Sequence, residues 1–427
     1  MAASATEYKP NLAGGGSYIR PGRCRQGRPP HQRRSERHQA CLVDAAGKVV
    51  GERAFAHGGA GLAALCDWIV SVAGDPGLVA VAIEVPPGPV VDTLLERGFA
   101  VHAINPKQRD RFSVAGAKDD RRDARVAAAG LRTDSHLFRA VQAGDPGVIE
   151  LREWSRLAEE LQQECVHLAN RIRQQLWRYY PQLLALADDV TAEWILELWT
   201  LAPTPAKAAR LREATLARLL RQHRIRRLDA ASALDLLRQP AITVAAGVTE
   251  AAVLHLRSLV VRLRVANAEF RQAECRLEEL CAGLSQGAAA EENGSRDAAI
   301  LRSLPGVGTV TLATLLTEAG DPLAHRDHAA LRTLSGVAPV PKRSGKTCIV
   351  VMRYAAQVRL RQAVFHWARV AILHDPKSRS RYDALRGRGH SYGRALRGVA
   401  DRLLGLACVL LQRQVVFNPD HGAGKAV

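Results

Sequence analysis

Three carboxylates are spaced so that they could act together on a phosphate ester. Glu84 follows an apolar run, Val79 to Ile83, that predicts a strand, and Asp120 and Asp123 lie three residues apart at the start of a predicted helix. Side chains three apart share one helix face, so both can converge on a carboxylate at a strand end. Three hard oxygen donors in this arrangement suit Mg²⁺, which can stabilise the oxygens of a phosphoryl displacement. The alternative is that the aspartates cap the helix or face its dipole.

A serine in a basic segment could supply a nucleophile. Ser344 follows Lys342 and Arg343 and precedes Lys346, in a stretch that we predict to be a flexible loop. These cations could position a phosphodiester and stabilise its transition-state charge while the hydroxyl attacks. The following Gly-Lys-Thr is not a P-loop, because that pattern requires glycine where Val340 stands. The alternative is an exposed polar loop without a catalytic role.

A turn between two predicted helices carries two glycines. The segment Leu304-Pro305-Gly306-Val307-Gly308 has the hydrophobic-Pro-Gly-hydrophobic-Gly pattern of a helix-hairpin-helix element. The free backbone amides of such a turn can hold a DNA phosphate. A tight interhelical turn with no ligand explains the pattern equally well.

The elements around these residues fall into three regions. Residues 39–131 alternate short strands with helices, which predicts an α/β domain with a mixed sheet. Two runs, Leu151 to Tyr179 and Leu256 to Leu280, keep apolar residues at heptad spacing over at least three heptads. The two long helices could pair antiparallel within one chain, assemble between chains, or form the core of a helical bundle. From Ala298 onward the pattern is mainly helical.

The charge is strongly positive and unevenly placed. The 427 residues contain 60 Lys+Arg and 42 Asp+Glu, a formal net charge of +18. Residues 342–397 hold 14 of these basic residues and 2 acidic ones, and residues 1–40 hold 8 and 2. Clustering of this kind indicates a surface for a polyanion such as nucleic acid.

The cysteines and the apolar runs exclude two other classes of protein. The eight cysteines include no CxxC pair, which argues against a zinc ribbon. No apolar run is long enough for a membrane helix, so we expect a cytoplasmic protein.

Five motifs in this order resemble the DEDD-type insertion-sequence transposases, the IS-one-ten family, over about residues 38–415. They are Ala82-Ile83-Glu84, Ile104-Asn105-Pro106, Lys118-Asp119-Asp120-Arg121-Arg122-Asp123-Ala124, Leu304-Pro305-Gly306-Val307-Gly308, and Ser335-Gly336-Val337-Ala338-Pro339 leading to Ser344-Gly345.

The resemblance implies an RNase H-like (RuvC-like) domain with an acidic tetrad, a coiled-coil insertion and a C-terminal, mainly α transposase domain. Together with the composition, which has no hydrophobic period before residue 38, it divides the chain into five segments: 1–37 disordered or aberrant, 38–145 RuvC-like, 146–290 coiled coil and helical, 298–417 transposase domain, and 418–427 tail. It also implies DNA as substrate, Mg²⁺ as cofactor, an element-encoded guide RNA and a homo-oligomer, dimer or tetramer.

The resemblance also assigns roles to residues. Glu84, Asp120 and Asp123 correspond to the last three acids, which bind metal, and Ser344 corresponds to the nucleophile that forms a covalent protein–DNA intermediate. The residues that we expect to contact nucleic acid are Lys342, Arg343, Lys346, Arg353, Gly306 and Gly308.

One departure concerns the first acid. Family members begin with a strand of the type Gly-Ile-Asp-Val, and here Gln32 stands about where that Asp should be. Because Pro29 and Pro30 precede it, this stretch cannot form a central strand. We therefore expect a frameshifted or misassigned start, with weaker metal binding and catalysis.

Three hypotheses remain open at this point. The first is a transposase or recombinase of this family, inactive if the first acid is missing. The second is a non-catalytic remnant that binds nucleic acid through the basic segment 342–397. The third is a metal-dependent nuclease that uses the acids without Ser344.

Overall fold

The computed structural model describes residues 16–21, 37–84, 88–104, 119–286, 293–344 and 347–419, the first of these segments by its backbone alone. The chain divides into two compact units, Met1–Gly144 and Asp145–Val427. Each unit has its own hydrophobic clusters.

Unit 1 is built on a six-stranded mixed sheet with the strand order β3-β2-β1-β4-β5-β6. Strands β1, β2 and β3 form an antiparallel meander, β4 and β5 run parallel to β1, and β6 is antiparallel to β5. The predicted α/β region with a mixed sheet is therefore confirmed. The strands are β1 (Gly16–Pro21), β2 (Arg37–Val43), β3 (Val49–Ala56), β4 (Ala80–Ile83), β5 (Ala100–Ala103) and β6 (Arg139–Val141).

Helices cover both faces of this sheet. On one face, α1 (Gly59–Ala73) and α2 (Pro89–Glu96) share a core with Val81 and Ile83 of β4. On the other face, α3 (Asp120–Thr133) packs its alanines against residues that include Ala82. The alternation of side chains along β4 explains why neighbouring residues belong to different clusters.

The centre of the sheet differs from the sequence prediction. Residues 1–37 were expected to lack regular structure, but Gly16–Pro21 forms β1, between β2 and β4. Arg37 begins β2. The stretch around Gln32 lies outside the described residues, so the central position is occupied by a segment further from β2 than the family pattern suggests. The six residues of β1, Gly-Ser-Tyr-Ile-Arg-Pro, include no Asp or Glu.

Unit 2 is helical apart from one hairpin. The two long helices, α4 (Pro146–Tyr179) and α10 (Val248–Gln286), enclose five shorter ones: α5 (Pro181–Leu186), α6 (Glu193–Leu201), α7 (Pro205–Ala209), α8 (Glu213–Gln222) and α9 (Ala230–Leu237). The following elements are α11 (Asn293–Ser303), α12 (Thr309–Glu318), α13 (Gly320–Ala324), α14 (His328–Leu334), β7 (Val340–Ser344), β8 (Thr347–Val351), α15 (Val358–His374), α16 (Pro376–Gly387) and α17 (Tyr392–Arg413).

Helices α4 and α10 run antiparallel and pack together along most of their length. Two ion pairs record the register: Glu150 with Arg276 at 2.7 Å and Glu164 with Arg262 at 3.7 Å. The two glutamates are 14 residues apart on α4, and the two arginines are 14 residues apart on α10. The later glutamate pairs with the earlier arginine, as expected for antiparallel helices. The two heptad runs therefore pair within one chain, and Pro181 begins a new helix just after α4 ends.

The long pair contributes to two separate cores. Its outer part, with Leu168 and Leu256, packs against α5 to α9. Its other end, with Leu151 and Leu277, packs against α11 to α17. Residues 146–290 and 298–417, predicted as separate domains, thus share one hydrophobic core.

The segment predicted as a flexible loop around Ser344 is instead a strand. β7 and β8 form an antiparallel hairpin in which Val340 pairs with Val351 and Ser344 with Thr347. The pattern was missed because Pro341 and two cations give β7 no apolar alternation. Within the described part of the chain, no helix is long and apolar enough to cross a membrane.

Candidate functional site

The three predicted acids lie around the sheet of unit 1. Glu84 directly follows the last residue of β4, Asp120 is the first residue of α3, and Asp123 lies one turn further along. Asp119 caps α3 by accepting a hydrogen bond from the Arg121 amide. Asp123 is buried, while Glu84 and Asp120 are half-buried. The structure therefore places all three on elements that pack together, α3 and β4.

Carboxylate oxygens are the right kind of donor for Mg²⁺. Among the described residues, however, no three His, Cys, Asp or Glu side chains are grouped so that they could hold a metal ion. β1, which lies between β2 and β4, adds no carboxylate. The residues present thus match the metal in kind but not in number, and no step of the chemistry below is routed through it.

An ion pair that the sequence analysis missed anchors α3 to the sheet. Arg125, two residues after Asp123, donates to both carboxylate oxygens of Glu52 on β3. Hydrogen bonding from Arg125 is the main reason that the pKa of Glu52 lies below its usual range. Burial, with Glu52 nearby, raises the pKa of the Cys41 thiol to about 12, so this cysteine stays protonated. The pair holds the first turns of α3 in place, and with them Asp120 and Asp123.

The Pro-Gly-Val-Gly turn connects α11 to α12 in unit 2, and its first glycine is required by packing. Gly306 has φ +81°, and a Cβ there would lie 2.8 Å from the Ala371 nitrogen of α15. The indole of Trp367 donates to the Pro305 carbonyl at 2.9 Å and ties the turn to the same helix. Gly306 is therefore explained by the close approach of two backbones.

The second glycine of this turn is exposed at the start of α12, beside an acid. Gly308 is the N-cap residue of α12. Glu278 of α10 accepts hydrogen bonds from the Thr309 hydroxyl and from Arg302. These two contacts, the hydroxyl first, lower the pKa of Glu278. A carboxylate thus already faces the amino end of α12, where a DNA phosphate was expected.

Ser344 is exposed at the end of β7 that pairs with the start of β8. Because side chains alternate along a strand, Lys342 shares a face of the hairpin with Ser344, whereas Arg343 points to the opposite face. Lys346 lies outside the described residues. Among the described residues of the hairpin, Lys342 is therefore the cation that shares a face with Ser344.

The remaining basic residues lie on the helices that follow the hairpin. Arg353 is half-buried, two residues after β8. On α16, Arg379 is paired with Asp383 at 3.0 Å. Within the described part of the chain, the side chains of Arg381 and Arg388 make no hydrogen bond or ion pair. Only Ser378 and Leu385 of α16 are buried, so this helix presents most of its surface to solvent.

Two transposase family models match the segments that contain these residues. The family model DEDD_Tnp_IS110, described as Transposase, matches residues 35–181, and the model for the Transposase IS116/IS110/IS902 family matches residues 298–383. The mini-circle putative transposase for IS117 of Streptomyces coelicolor is 31% identical over 411 residues, which cover 90% of this chain and 93% of the relative. The chain belongs to the IS110 family of insertion-sequence transposases.

Other relatives of the IS110 family align over less of the chain. A putative transposase y4uE of Sinorhizobium fredii is 58% identical over 202 residues, and the chain spans 56% of that relative's length. The insertion element IS110 uncharacterized 43.6 kDa protein of Streptomyces coelicolor is 28% identical over 317 residues. The first family match contains the three acids, and the second contains Ser344 and the Pro-Gly-Val-Gly turn. The first match begins after β1.

The two glycines of the turn should respond differently to substitution. We expect Gly306→Ala to lower the free energy of unfolding by about 2 kcal/mol or more, because a Cβ would be strained at positive φ and would press on α15. Gly308→Ala should change it by less than about 0.5 kcal/mol, because its Cβ meets no atom within 4 Å. Thermal melting of both variants measures this, and equal melting temperatures would contradict the packing role of Gly306.

Proposed function

We propose that this IS110-family protein is a DNA transposase in which Ser344 attacks a DNA phosphodiester. The observation that carries the proposal is the position of Ser344, exposed at the end of a hairpin within the family-matched segment, with Lys342 on the same face. The basic C-terminal segment supports DNA as partner. The family resemblance is the ground for a guide RNA, a homo-oligomer and action in the cytoplasm.

The proposed reaction is a transesterification. Ser344 Oγ bonds to phosphorus and loses its proton to solvent, the bond from phosphorus to one deoxyribose oxygen breaks, and that oxygen leaves as a hydroxyl after taking up a proton. The Lys342 ammonium stabilises the negative charge that develops on the phosphate oxygens. The product is a serine–DNA phosphodiester, from which a second strand can be joined.

We also propose that unit 1 has the RNase H-like (RuvC-like) fold and that α4 and α10 form a coiled coil. The sheet supports the first, because an antiparallel meander of three strands is followed by two strands parallel to the first. The heptad spacing and the antiparallel pairing support the second.

A second candidate is a non-catalytic nucleic-acid-binding remnant of a transposase. The absence of a carboxylate from β1 favours it, since the family's first acid belongs to the strand before residue 35. In this case the basic segment still binds DNA or RNA, but no adduct forms.

Covalent attachment to DNA distinguishes these two functions. We expect the full chain to form an adduct with a duplex carrying the element's end, detected as a band shifted in a denaturing gel, and Ser344→Ala to abolish it. Thr347→Val is the matched control, because Thr347 pairs with Ser344 across the hairpin and should not be needed. An adduct that survives Ser344→Ala would refute the assignment of the nucleophile.

Introducing a carboxylate on β1 should strengthen metal binding. Arg20 is one residue beyond Ile19, the partner of Ile83, so the register places it beside Glu84. We expect Arg20→Asp to tighten Mg²⁺ binding about tenfold, measured by isothermal titration calorimetry, because a carboxylate on β1 would add an oxygen donor where the described acids are too few to hold the ion. Arg20→Asn is the control that removes only the positive charge. If both variants bind Mg²⁺ equally, the three acids are not a metal site that lacks one ligand.

The unpaired arginines of α16 should contribute to salt-dependent DNA binding. We expect Arg381→Glu with Arg388→Glu to reduce the slope of log K against log salt by about 2, because each phosphate contact contributes about 0.9. Fluorescence anisotropy with a duplex at several salt concentrations measures the slope. The control is charge reversal at Arg218 and Arg257, which are exposed on α8 and α10. An equal change in both variants would mean that α16 is not the DNA surface.

A further inference from the structure

We propose that Arg353 and Arg361 form a phosphate-binding subsite at the foot of the β7–β8 hairpin. Arg353 lies two residues after β8, and Arg361 lies in the first turns of α15. Both side chains are half-buried. The proposal deepens the proposed function, because the phosphate would belong to the DNA on which Ser344 acts.

Among the described residues, these two guanidinium groups have no counter-ion. Within the described residues, neither side chain makes a hydrogen bond or an ion pair, and the Nε of Arg353 is a buried donor without a partner. A charged group that is partly removed from water is costly unless an opposite charge or hydrogen-bond acceptor accompanies it. An anion from outside the chain would supply both.

Three other half-buried arginines near this part of unit 2 are paired with acids. Arg359, two residues before Arg361, contacts Glu318 at 3.0 Å. Arg332 contacts Asp401 at 2.6 Å. Arg326, which follows α13, makes a bidentate contact with Asp297. In contrast to these three, Arg353 and Arg361 have no carboxylate partner among the described residues.

The sequence around the subsite is free of acids. No Asp or Glu occurs between Asp327 and Asp375, a stretch that contains the hairpin and all of α15. An intramolecular carboxylate from this segment therefore cannot neutralise the two arginines, and the local field favours an anionic ligand.

Gly336 lies against the backbone of Arg353 and the side chain of Arg361. It has φ +73°, and a Cβ on it would lie 3.4 Å from both the Arg353 carbonyl oxygen and the Arg361 Cδ. The same Cβ would lie 2.9 Å from Ala356. The glycine of the Ser-Gly-Val-Ala-Pro motif therefore lets the segment after β8 and the start of α15 meet at this turn.

The ligand chemistry follows from the guanidinium geometry. Arginine presents a planar set of donors that suits phosphate oxygens. The subsite lies at the Val340 end of β7, and Ser344 lies at the other end. The four residue steps between Val340 and Ser344 span about 13 Å, at about 3.3 Å per residue. The subsite thus holds a phosphate other than the one attacked, and its role is to position the DNA.

Anion binding and folding together test the subsite on the full chain. We expect sodium sulfate, compared with sodium chloride at equal ionic strength, to raise the melting temperature of the wild-type protein. The Arg353→Gln, Arg361→Gln double variant should show a smaller rise, because only the general stabilisation by sulfate remains. In chloride it should melt at or above the wild-type temperature, because an unpaired charge has been removed. A lower melting temperature in chloride would mean that the arginines support the fold and would overturn the proposal.

DNA binding provides the second measurement. The double variant should bind a duplex at least about tenfold more weakly by fluorescence anisotropy, since charged hydrogen bonds to phosphate are lost. The control is Arg218→Gln with Arg413→Gln, which removes the same charge from exposed positions of α8 and α17 outside the basic segment 342–397. Equal affinities of the two double variants, or a sulfate effect as large without Arg353 and Arg361 as in the wild-type protein, would overturn the subsite. Adduct formation by Ser344 at saturating DNA is a separate readout, so the subsite can fail while the nucleophile stands.

Discussion

The antiparallel packing of α4 on α10 is the interaction on which the helical unit depends. One end of this pair is buried by the five short helices between them, and the other by the seven helices that follow, so two cores share the same two helices. Both groups of helices therefore pack on the same pair. The Arg276–Glu150 and Arg262–Glu164 contacts keep the register. The packing of the helices around the β7–β8 hairpin therefore depends on residues of α4 and α10 that lie more than 60 positions before the hairpin in sequence.

Much of this architecture could be read from periodicity. The heptad runs predicted both long helices, and Pro181 correctly marked the end of α4. The apolar run before Glu84 predicted β4. Such features are local, because repeated burial of one face requires repeated apolar residues. The positions of Asp120 at the start of α3 and of Gly306 in a turn were also predictable, since helix caps and turns have local signatures.

The features that were missed depend on distant partners. The Arg125–Glu52 ion pair joins residues 73 positions apart, and nothing in either neighbourhood identifies the other. β7 contains Pro341 and two cations, and it becomes a strand only through pairing with β8. Gly308 stays a predicted phosphate contact, and the sequence around it does not indicate that Glu278 from another helix accepts a hydrogen bond from the neighbouring Thr309. Long-range contacts of this kind decide the electrostatics of a site without leaving a pattern in its sequence.

The location of β1 has a consequence for the stability of the sheet. This strand is the partner of both β2 and β4, so a chain without it would carry two unpaired strand edges in the middle of one sheet. Open edges of that kind recruit other chains and lead to aggregation. The backbone of β1 meets this demand with Gly-Ser-Tyr-Ile-Arg-Pro, a segment without a carboxylate. The pairing that closes the sheet therefore depends on the backbone of this segment and does not require an acidic side chain in it.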